Sequence, residues 1–117
     1  MHFAICATWG PTDPTRSALP FIFAASALQA GDTVTLMLFH DAVHMATRGT
    51  AEKLVPVGPP PRFEEVVSHA NATVLACKPC FAVRELPEDG LDERIQLAGM
   101  NEFYEAAARE NARVVSF

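Results

Sequence analysis

The sequence predicts one α/β domain built on a five-stranded, mostly parallel sheet. Short apolar, β-branched runs alternate with segments of helical periodicity at the spacing of βα units. Strands that alternate with helices pack as a parallel sheet covered on both faces, with short right-handed connections. The length of 117 residues is close to the commonest size of a single core, so residues 1–117 are read as one domain.

The first strand is the apolar run His2-Phe3-Ala4-Ile5-Cys6-Ala7. A turn rich in Gly, Pro, Thr and Asp follows, and Asp13 before Pro14 forms an N-cap and N1 pair. The first helix runs from about Pro14 to Ala30, with Ala18, Phe21, Ile22, Ala25 and Leu28 on one face and Gly31 as its stop. Pro20 lies inside it as a candidate kink. Thr33 to Phe39 is nearly continuous in apolar and β-branched residues, as a strand covered on both faces should be. His40 and Asp41 stand at its C-terminal end, and a short helix is expected from Asp41 to Thr47.

From Gly49 to Arg62 the chain carries Pro56, Gly58, Pro59, Pro60 and Pro61, so this stretch is a loop, and it is too long for a mere connector. Phe63 to Ala70 reads as a short helix with Phe63, Val66 and Val67 inward. Thr73 to Ala76 is the third strand and Cys77 ends it. A helix from Pro79 to Arg84 is cut off by Leu86-Pro87-Glu88-Asp89-Gly90. Ile95 to Ala98 is the fourth strand. The last helix spans Gly99 to Asn111 with a stripe of Met100, Phe103, Tyr104, Ala107 and Ala108, and Arg113 to Phe117 closes the sheet.

Composition excludes several function classes. The net charge is -5 and the nine Lys and Arg residues are scattered, so no basic stripe is present to neutralise a phosphate backbone, and direct nucleic-acid binding is not expected. No run approaches the roughly 20 apolar residues of a membrane span, and the apolar N-terminus lacks the basic flank of a signal peptide. A cytoplasmic protein is expected. Three cysteines make an odd count, which does not suit a disulfide framework in such a compartment. Half of the residues are hydrophobic, apolar for so small a domain. Part of that surface is expected to meet another subunit.

Functional groups in a parallel sheet gather beyond the C-terminal ends of the strands. Three loops qualify: Thr8 to Pro14, His40 to Val43, and Cys77 to Cys80. The Gly10-Pro11-Thr12-Asp13-Pro14-Thr15 loop could cradle an anion, but it lacks the Lys of a P-loop and the glycine spacing of a dinucleotide site. Its simpler reading is a turn and cap. Cys77-Lys78-Pro79-Cys80 carries the clearest chemistry. Both sulfurs fall in or beside a first helical turn, where free N–H groups and the helix dipole favour a thiolate. Cys77 at the strand end is expected to project into the cleft and react first, Cys80 more slowly, and Cys6 only after unfolding. His40 is a candidate base or cationic partner for the thiol. No second CxxC or HxxxH accompanies the pair, so neither a metal nor a cofactor is expected.

The order and spacing of several pieces resemble the DsrE/DsrF-like family, small proteins of intracellular sulfur metabolism that include the TusD-type sulfur carriers. These pieces are Gly10-Pro11-Thr12-Asp13-Pro14-Thr15-Arg16, Ala30-Gly31-Asp32, Val34 to Phe39 with His40-Asp41-Ala42-Val43, Cys77-Lys78-Pro79-Cys80-Phe81-Ala82-Val83-Arg84, and Val114-Val115-Ser116-Phe117. The resemblance implies a flavodoxin-like three-layer domain that assembles as a homo-oligomer, usually a trimer or hexamer. It further implies that Cys77 accepts sulfane sulfur from a donor protein as a persulfide and passes it to an acceptor protein, with Cys80 assisting. The family's Arg-Gly pair is met here by Arg84 and Glu85. A non-catalytic oligomeric ligand-binding or assembly module with incidental thiols is the alternative. A thioredoxin-like reductase is weaker, because its CxxC belongs after an earlier strand.

Overall fold

The computed structural model describes residues 1–56 and 62–117. Five strands are present: β1 (His2–Ala7), β2 (Thr33–Leu38), β3 (Ala72–Cys77), β4 (Ile95–Ala98) and β5 (Ala112–Ser116). The α-helices are α1 (Pro14–Gln29), α2 (Phe63–Val67), α3 (Lys78–Val83) and α4 (Met100–Ala107). The proline loop expected at Gly49–Arg62 lies partly outside the described residues; within its described part, Ala51–Lys53 form a 3₁₀ turn.

All strands pair in parallel, in the order β4-β3-β2-β1-β5. The expected five-stranded sheet with helices on both faces is present. Its strands run 4-3-2-1-5, whereas flavodoxin itself runs 2-1-3-4-5. Alternation along β1 fixes which helix covers which face. The Phe3 ring meets Phe23 of α1 at 5.3 Å. His2, on the opposite face, reaches Arg109 just beyond α4. α1 and α4 therefore cover opposite faces.

Local signals set the helix ends. Asp13 accepts the Arg16 N–H at 3.1 Å and Pro14 occupies the first turn, so α1 starts where a cap and a pre-set φ coincide. Gly31, at φ +92°, turns the chain out of α1 into β2. Pro20 is accommodated inside α1 and buried. Ile5, Phe21, Leu36 and Leu38 are fully enclosed in the core. Each contributes about 2–3 kcal/mol on burial.

Three expectations need correction. The segment after β2 is a 3₁₀ helix, His40–Ala46, rather than an α-helix from Asp41. Its chain enters with His40 at φ +54° and leaves at once into an antiparallel bridge between Thr47 and Leu91, so both ends are fixed outside the α-helical conformation. The stripe expected on α4 is only half right. Phe103 is buried, but Met100 and Tyr104 are 62% and 68% exposed, and Ala106 packs inward instead. The helix expected over Phe63 to Ala70 ends at Val67, where the Ser68 hydroxyl donates to the Glu64 carbonyl at 2.6 Å.

Candidate functional site

The site forms where β2 and β3 end side by side. Leu38 and Ala76 are register partners, so the residues that follow them, His40 and Cys77, emerge at the same edge of the sheet. Cys77 is both the last residue of β3 and the N-cap of α3, and Pro79 in the first turn directs the chain into that helix. Cys80 then faces back toward the β2 side. Its Sγ accepts the backbone N–H of His40 at 3.3 Å.

The two thiols differ in environment. Cys77 is 8% exposed, whereas Cys80 is half-buried; both are free. Burial pushes the Cys77 thiol above its ordinary pKa, and the neighbouring Cys80 side chain adds to that rise, against a smaller opposing pull from the Cys80 N–H and the Arg84 charge. Cys77 is therefore more enclosed than the cleft-facing position expected of it, and burial acts on its thiol in the direction opposite to a helix terminus. Cys6 is half-buried rather than fully shielded, and burial raises its thiol pKa as well.

Arg84 ties the site together. Its Nε and Nη2 donate to Asp41 Oδ1 at 3.0 and 2.8 Å, its Nη1 donates to the Cys80 carbonyl at 3.0 Å, and its Nη2 lies 3.0 Å from His40 Nδ1. These hydrogen bonds hold the Asp41 carboxyl below the usual range. His40 thus sits beside the thiols as expected, but its ring is 69% exposed and faces Arg84; the group it directs at sulfur is its peptide N–H.

Sequence reading missed Asp41 and gave Arg84 no role. The available signal was Arg84 four residues after Cys80, a spacing that places both on one helix face. The turn and cap expected of the Gly10–Thr15 loop are present, and Gly10 has a further role there. A Cβ there would be driven into the Asp41 carbonyl, so the glycine lets the β1–α1 loop press against the segment that carries His40. Asp13, in the same loop, serves as the α1 cap. His69 accepts the Asn71 N–H within its own turn. Among the described residues no group of three or more His, Cys, Asp or Glu side chains could hold a metal ion, and no helix is long and apolar enough to cross a membrane.

The chain is 30% identical over 120 residues to the uncharacterised protein MJ0989 of Methanocaldococcus jannaschii, covering all of both chains. With the uncharacterised protein MK0008 of Methanopyrus kandleri it shares 30% identity over 95 residues, 79% of this chain and 74% of the relative. The fold superimposes on the crystal structure of the ychN protein of E. coli with a TM-score of 0.78 at 20% identity, covering 99% of this chain and 97% of the other. Against MTH1491 of Methanobacterium thermoautotrophicum, a protein of unknown function, the TM-score is 0.67 at 10% identity, with 99% and 98% covered. The model of the DsrE/DsrF-like family matches residues 1–117.

Proposed function

Because the chain belongs to the DsrE/DsrF-like family, which is generally linked to sulfur metabolism, we propose that it is a sulfur carrier whose Cys77 and Cys80 take up and hand on sulfane sulfur. The observation that supports this most directly is the unequal pair itself: a half-buried Cys80 with a backbone donor aimed at its sulfur, next to a buried Cys77. Sulfur enters at Cys80 and is held at Cys77. In the entry step the Cys80 thiolate attacks the outer sulfur of a donor persulfide; the new bond is Sγ–S, the donor S–S bond breaks, and the donor leaves as a thiolate. Attack by the Cys77 thiolate on that same outer sulfur regenerates the Cys80 thiolate and leaves the persulfide on Cys77, sheltered from water. Neither step changes the total oxidation level of sulfur. Delivery repeats the exchange with an acceptor thiol on a partner protein.

The exchange needs both thiols reduced, which a reducing compartment such as the cytoplasm provides. Members of the family are generally oligomeric, and the exposed Trp9, Leu19, Met100 and Tyr104 support assembly of this chain with itself, as a trimer or hexamer.

The test is mass spectrometry with peptide mapping after incubation with a persulfide donor. Wild type should gain one sulfur atom, Cys80→Ser should load much more slowly, and Cys77→Ser should load at Cys80 but lose the sulfur quickly. Equal loading rates for wild type and Cys80→Ser would make Cys77 the direct acceptor. No loading in any form would leave the assembly-module reading in its place.

A further inference from the structure

The residue that presents the backbone donor is in an unusual conformation. His40 has φ +54°, in the left-handed region that a residue with a Cβ rarely adopts, and the surrounding structure must hold it there. That geometry delivers its N–H to the Cys80 sulfur at 3.3 Å.

Two features hold it. Gly10 lets the β1–α1 loop pack against the Asp41 carbonyl, bracing the His40–Asp41 segment from one side. From the other side the Arg84 guanidinium grips both bodies of the site at once. It bonds Asp41, on the segment that carries the donor, and the Cys80 carbonyl, on the helix that carries the sulfur. A planar fork with donors on three nitrogens can do this; an ammonium group cannot. Arg84 is only 19% exposed.

We propose that Arg84 is a positioning residue: through Asp41 and the Cys80 carbonyl it holds the His40 N–H on the Cys80 sulfur, making that peptide a one-donor hole for the Cys80 thiolate. The proposal rests on the carrier reading for its purpose, but its geometry is independent of sulfur loading. The charged and titratable groups around this sulfur are Cys77 at the end of β3, Arg84 at the end of α3, and His40 and Asp41 on the 3₁₀ helix.

The experiment is the pH dependence of Cys80 alkylation by iodoacetamide, in a Cys6→Ser, Cys77→Ser background so that one thiol reports. Arg84→Lys keeps the charge and loses the fork, and Asp41→Asn removes a negative charge and loosens the anchor. Positioning predicts that both raise the midpoint, by about one pH unit, with about a tenfold slower reaction at neutral pH. Through-space electrostatics alone predicts the opposite sign for Asp41→Asn and no change for Arg84→Lys. Thermal melts establish that each variant is folded, and the two variants fail independently. An unmoved midpoint in folded Arg84→Lys, or a lowered one in Asp41→Asn, overturns the proposal. Shifted midpoints in a protein that never loads sulfur would leave the positioning role intact and sink the carrier reading.

Discussion

Asp92 is among the few buried charged residues. It is 7% exposed and accepts the Arg94 backbone N–H at 2.9 Å together with Nε and Nη2 at 3.0 and 2.9 Å, while its own N–H donates to the Ala46 carbonyl at 2.7 Å. Arg94 continues to Glu64 on α2 at 2.6 Å. Asp92→Ala should therefore cost about 2 kcal/mol in chemical denaturation, by leaving the buried end of the Arg94 guanidinium half-partnered while the backbone bond to Ala46 stays in place. The Arg94 hydrogen bonds hold the Asp92 carboxyl below its ordinary pKa, so the stability it adds is present above about pH 4 and is lost as pH falls through the folded-state value. His2 acts at a different pH. It is buried between the Thr33 and Thr35 hydroxyls, at 2.7 and 3.0 Å, and desolvation followed by the Arg109 charge lowers its pKa. Below about pH 6.5 the unfolded chain takes up a proton that the folded one refuses, so stability should fall with pH in that window. Replacing His2 with Gln should flatten that part of the denaturation-versus-pH curve. Of these groups the sequence disclosed little. Cys77 and Cys80 stand out by spacing, but Asp41, Asp92 and His2 take their character from partners 43, 2 and 31 or more positions away, and only Arg94 is local.

Among the elements, the 3₁₀ helix His40–Ala46 depends on a neighbour with no side chain. Gly10→Ala should force the β1–α1 loop away from the Asp41 carbonyl, lowering the melting temperature and slowing Cys80 alkylation together. An unchanged alkylation rate in the folded variant would show that the loop does not brace the site. The regular elements were legible because each has local punctuation: Asp13-Pro14 opens α1, Gly31 closes it, and β2 is a continuous apolar run. The 3₁₀ helix was not, because its periodicity over seven residues suits either helix type, and the left-handed His40 that decides it has no sequence signature. α4 was misread for a related reason. Met100 and Tyr104 fit a 3.6-residue stripe, but the sheet beneath accommodates only Phe103 and Ala106.

At the scale of the whole molecule, part of the exposed apolar surface gathers in one place. Trp9 and Leu19, each 41% exposed, join Phe117 around a shallow cavity of about 170 Å³, with the Arg16 guanidinium 4.5 Å from the Trp9 ring centre. A second copy of the chain covering this surface should give a particle several times 12.7 kDa by light scattering, and Leu19→Asp should lower that mass without unfolding the protein, since the side chain points out of α1. A wild-type particle of 12.7 kDa at micromolar concentration would rule out the assembly. The pairing of β1 with β5 has a further consequence, in the order of events as the chain folds. β1, β2 and β3 can pair through short-range crossovers, but His2 meets Ala112 and Cys6 meets Ser116, so one edge of β1 has no neighbour until a strand far downstream in the sequence joins it. Contacts that far apart in sequence form slowly. Until they form, the exposed backbone of β1 can accept the edge of another nascent chain. β5 thus occupies an edge of β1 that would otherwise be open to a strand from another molecule.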